Sequence, residues 1–127
     1  MAGRYDMFPR HAYREAYQIS NTNADPEGQK AVALLFRDAE HVRVSGKGAV
    51  FMHRGKMMEV CIDQSREVQI EGLAFDYHRP TVSEYRVEKV GEGFADLVIH
   101  KDSKFEVRDG VLHWIGEGWS KTTGLEF

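Results

Sequence analysis

Residues 105–114 read FEVRDGVLHW, with apolar and polar side chains alternating on either side of Asp109-Gly110. Alternation with a period of two marks a strand with one face buried. Asp-Gly is a strong hairpin signal, because a type I′ turn asks positive φ of both central residues. The stretch predicts two antiparallel arms in which Phe105 faces Trp114, Val107 faces Leu112 and Glu106 faces His113.

The same alternation extends outward from this hairpin. Bends at Arg79-Pro80-Thr81, Gly91-Glu92-Gly93 and Lys101-Asp102-Ser103 align Phe75, Tyr85, Ile99, Phe105 and Trp114 in one row, and Leu73, Val87, Leu97, Val107 and Leu112 in the next. Earlier in the chain, turns at Gly46-Lys47 and Arg54-Gly55 pair Val42 with Phe51, Val44 with Ala49, Phe51 with Met58 and Ala49 with Val60. A shared apolar face is what a correct register must produce. Gly72 breaks the phase of EVQIEGLAFDY, which predicts a bulge or sharp bend there. No internal repeat stands out.

Ahead of the strands, Asp25 and Pro26 suit the cap and first position of a helix, and Val32, Leu35, Phe36 and Ala39 recur at helical spacing. The expected fold is mainly β: an eight-stranded antiparallel meander forming a sandwich or partly open barrel, with one N-terminal helix over about 26–39. The expected organisation is a single domain over 1–127, with an aromatic arm at 1–25, the helix, the meander at 41–116 and a tail at 117–127.

Composition narrows function mainly by exclusion. The chain has 127 residues, 42% hydrophobic and 29% charged, the profile of a folded globular protein. Seventeen basic and twenty acidic residues give a formal charge of −3 without a basic block, so nucleic acid is not an expected partner. There is no apolar run of membrane-span length, and the single Cys61 has no internal partner for a disulfide. These features predict no membrane association and a reducing, cytoplasmic setting. The SGKG at 45–48 lacks the rest of a phosphate loop and reads as a turn.

Three groups of side chains are candidates for function. Val50, Met52 and Met57 make a half-apolar sheet face, and Trp119 sits in the glycine-flanked GEGWS; together they predict a surface for another protein or a second copy of the chain. On the charged face, Asp76 opposite Glu84 is a like-charge contact that a cation relieves, and His100 beside them completes an alternative metal or acid–base site, with His78 or His113 to carry a proton. The rows through Phe75 and Leu73 supply a third reading, a barrel cavity for a small ligand. With no nucleophile elbow and no dinucleotide loop, the leading expectation is a non-enzymatic interaction, accessory or inhibitor protein without a cofactor. A small-molecule-binding barrel and a metal-dependent enzyme are the alternatives.

Overall fold

A computed structural model describes residues 3–19, 28–118 and 120–122. The mainly β architecture expected from the alternation is what the chain adopts. It divides into two compact units, Met1–His78 and Arg79–Phe127.

In the first unit the strands are β1 (Arg4–Met7), β2 (Tyr13–Ala16), β3 (Gln29–Arg37), β4 (Arg43–His53), β5 (Met58–Asp63) and β6 (Gln69–Tyr77), with a 3-10 turn at Pro9–His11. They form two sheets, one in the order β1-β4-β6 and the other β2-β3-β5. The chain alternates between them: β3 leads to β4, and β5 leads to β6. Every neighbour in the first sheet is parallel, as is β3 with β5, and only β2 runs antiparallel to its neighbour. The connecting bends also stack, through a parallel bridge between Glu40 and Arg66. This is the path of a β-solenoid, in which each coil hydrogen-bonds to the next.

The coil repeats every 26 residues: Val32 stands beside Met58, Arg37 beside Asp63 and Arg43 beside Gln69. Equivalent bend positions carry the same unusual backbone, with positive φ at Asp38 and Gln64 and again at His41 and Glu67. Ser45 still faces Glu71, but Ala49 faces Leu73, so β4 carries two extra residues at this point. These are Lys47 and Gly48, both at positive φ, opposite Gly72 at φ +62°. The expected irregularity at Gly72 is therefore present.

Parallel pairing corrects two expectations. The helix over 26–39 is absent: residues 29–37 are β3, while the predicted cap at Asp25 and Pro26 lies outside the described residues. AVALLF is a continuous apolar run because β3 is covered on both sides, with the consecutive residues Ala31 and Val32 5% and 2% exposed. A strand buried on both faces loses its alternation and imitates helical spacing. The hairpin at Gly46-Lys47 is likewise replaced by the bulge within one continuous β4. Arg54-Gly55 does lie in a bend between β4 and β5, but it joins strands of different sheets, so Phe51 faces Phe75 instead of Met58.

Within the second unit the predicted pairings hold inside each hairpin. Strands β7 (Tyr85–Gly91) and β8 (Phe94–Ile99) are antiparallel, with Tyr85 beside Ile99 and Val87 beside Leu97. An irregularity between Val87 and Lys89 then shifts the pairing near the turn, and the bend expected at Gly91-Glu92-Gly93 is tighter, with Gly91 paired to Phe94. Strands β9 (Lys104–Arg108), β10 (Val111–Ile115) and β11 (Ser120–Thr122) form a second antiparallel sheet. The expected rows do not continue from Ile99 to Phe105, because β8 and β9 lie in different sheets. Phe105 faces Trp114, Val107 faces Leu112 and Glu106 faces His113, with Asp109 and Gly110 at φ 51° and 76° as a type I′ turn requires. Trp114, 4% exposed, stacks on Tyr85 at 5.9 Å and meets the edge of Phe105 at 6.3 Å.

Candidate functional site

The densest polar constellation lies on the β2-β3-β5 sheet and centres on Arg37. Its Nε donates to Asp63 at 3.1 Å and one terminal nitrogen to the Tyr13 hydroxyl at 3.1 Å. The other terminal nitrogen contacts Glu15 and Tyr17. Tyr13 donates to Glu15 at 2.9 Å and Tyr17 to Asp63 at 3.0 Å, closing the network. Register explains part of the assembly: Arg37 and Asp63 are directly opposed in parallel strands, and Tyr13 and Glu15 come from β2, the strand paired with β3.

Electrostatics follow from these contacts. The Arg37 hydrogen bond holds the Glu15 carboxyl below its usual range, with Tyr13 reinforcing it. Desolvation pushes the Tyr17 hydroxyl up to about 12, opposed by Arg37 and helped by its bond to Asp63. An ionised carboxylate clamped by a guanidinium is a poor proton donor near neutral pH. The cluster's evident work is to bind β2 to the coil.

A second group lies on the other sheet. His53 is fully buried, and its Nδ1–H donates to the Asp76 carbonyl at 3.1 Å. Its ring packs against Tyr77 at 5.1 Å and Phe75 at 6.1 Å, and its Nε2 finds no hydrogen-bond partner among the described residues. The Tyr77 hydroxyl lies 2.6 Å from a Glu59 carboxylate oxygen and 3.0 Å from the Met57 carbonyl, joining β6 to the other sheet. Burial, reinforced by Glu59, raises the Tyr77 pKa.

The residues expected to form a partner surface are distributed differently. Val50 and Met52 are half-buried in the middle strand of their sheet, between Arg4 and Asp6 of β1 and Ala74 and Asp76 of β6. Met57 is buried at 8% exposure, and Trp119 lies outside the described residues. Of the alternative metal set, Asp76 stands beside Met52, whereas the Glu84 carbonyl accepts from the His100 backbone at 2.9 Å. Among the described residues no group of three or more His, Cys, Asp or Glu gathers to hold a metal ion. Glu106 and His113 face one another as predicted, but the Glu106 carboxylate pairs with Arg108 along its own strand. Phe75 and Leu73, expected to line a barrel, stand beside Phe51 and Ala49 in a parallel sheet.

Sequence reasoning missed the Arg37 cluster and the polar contacts between coils: ion pairs join Arg66 to Glu40 at 2.5 Å and Arg43 to Glu71 at 2.7 Å, and His41 Nδ1 lies 2.5 Å from Glu67. A signal was present. Arg37/Asp63, Glu40/Arg66 and His41/Glu67 exchange basic for acidic character at one fixed spacing, with Val42/Val68 and Val44/Ile70 in phase.

No protein-family model matches the chain. Alpha-1,3-galactosidase A of Bacteroides fragilis is 35% identical over 120 residues, 92% of this chain and 20% of the relative. Alpha-1,3-galactosidase A of Akkermansia muciniphila is 38% identical over 109 residues, 84% of this chain and 18% of the relative. Alpha-1,3-galactosidase B of Parabacteroides distasonis is 30% identical over 128 residues, 96% and 20% of the two chains. These findings correct the expectation of a non-enzymatic interaction or accessory protein: the relatives that match nearly all of the chain bear the names of glycosidases. That expectation rested on missing motifs, which carry no information about a solenoid whose signature is a coil repeat. The chain is thus similar over most of its length to alpha-1,3-galactosidases, and it spans about a fifth of the length of these curated relatives.

Proposed function

We propose that the chain is a segment of a glycosidase that cleaves α-1,3-linked galactose, with its first unit a piece of β-solenoid. The observation that carries this reading is the 35% identity to an alpha-1,3-galactosidase across 92% of the chain. The fold supports it in a specific way. A solenoid holds side chains from successive coils in fixed rows, which suits an extended saccharide, and sites built on strands keep their geometry better than sites on loops.

Glycoside cleavage generally needs two carboxyl groups, one of them protonated to donate to the leaving oxygen. Glu15, held ionised by Arg37, does not suit the donor role. The role proposed for these residues is therefore positional: they fix strand order and coil register in the enzyme. A chimera tests the proposal, with the matching 120 residues of the Bacteroides fragilis relative replaced by this chain. The expected result is release of galactose from an α-1,3-linked digalactoside. A folded chimera that releases none, beside an active parent, would refute it.

A further inference from the structure

We draw no further inference here: the strongest candidate, the side-chain cluster of Arg37, Tyr13, Glu15, Tyr17 and Asp63 on the β2-β3-β5 sheet, belongs to the site already described, where these groups bond to one another.

Discussion

Replacing Gly46 by alanine tests the stacking of one coil on the next. A Cβ built at Gly46 falls 2.2 Å from Leu73 Cδ2, 2.5 Å from Leu73 Cγ and 2.6 Å from the Gly72 carbonyl oxygen. The leucine can turn away, but the carbonyl belongs to β6 and moves only if the coil moves. Overpacking of this kind costs about 1–3 kcal/mol, and the alanine recovers about 0.4–1 kcal/mol by restricting the unfolded chain. A net loss centred on about 1.3 kcal/mol, and at most about 2.6 kcal/mol, follows. For a unit of this size the central value is a fall in Tm of roughly 5–10 °C. Urea unfolding followed by circular dichroism, with an unchanged m-value, measures it. Gly93→Ala is the control: nothing lies within 4 Å of its Cβ, and only its φ of +77° opposes the change, so the first unit should be unaffected. A Gly46→Ala protein as stable as the parent would refute close approach of β4 and β6 at this point.

Other outcomes follow from the same structure. Arg37→Gln should release β2, seen as faster amide exchange at residues 13–16 with β4 unchanged. The Glu15 carboxyl is lowered from its usual 4.5, so its contribution to holding β2 is complete above that pH and lost as pH falls through the lowered value; exchange at β2 should accelerate on acidification. Tyr17, raised from 10.0 to about 12, contributes fully below pH 10 and loses its contribution as pH rises toward 12, and phenolate absorbance should show it ionising late. His53→Ala should cost about 2–5 kcal/mol by emptying a buried site, and His53→Phe less, because a ring refills the site and only the Nδ1–H bond to the Asp76 carbonyl is lost; chemical denaturation ranks the two. Gly110→Val places a β-branched residue at φ +76° and should cost the second unit at least about 1–2 kcal/mol, read as a lowered thermal midpoint.

Legibility in the sequence was divided along the chain. Around Asp109-Gly110 the information is local: turn chemistry and alternation fix the register, and Phe105/Trp114, Val107/Leu112, Tyr85/Ile99 and Val87/Leu97 all pair as the pattern predicts. In residues 29–77 the partners lie a whole coil apart, so neighbouring residues hold little of the pairing information. Consecutive burial at Ala31 and Val32 then hides the period of two, and helical spacing arises from an ordinary buried strand. Turn-like residues at Lys47 and Gly48 do adopt positive φ, but to widen a strand and not to reverse it. The polar cluster was invisible for the same reason, since Arg37 meets Asp63 only when 26 residues are wound into one coil. Glu15, 22 residues ahead of Arg37, joins it from β2, which pairs with the same β3.

Nuclear Overhauser contacts between side chains of residues 42–77 test the parallel coil most directly. The account predicts contacts between Val44 and Ile70 and between Phe51 and Phe75, whose backbones are adjacent in β4 and β6. Contacts between Val44 and Ala49 and between Phe51 and Met58 in their place would mean hairpins, and would contradict it.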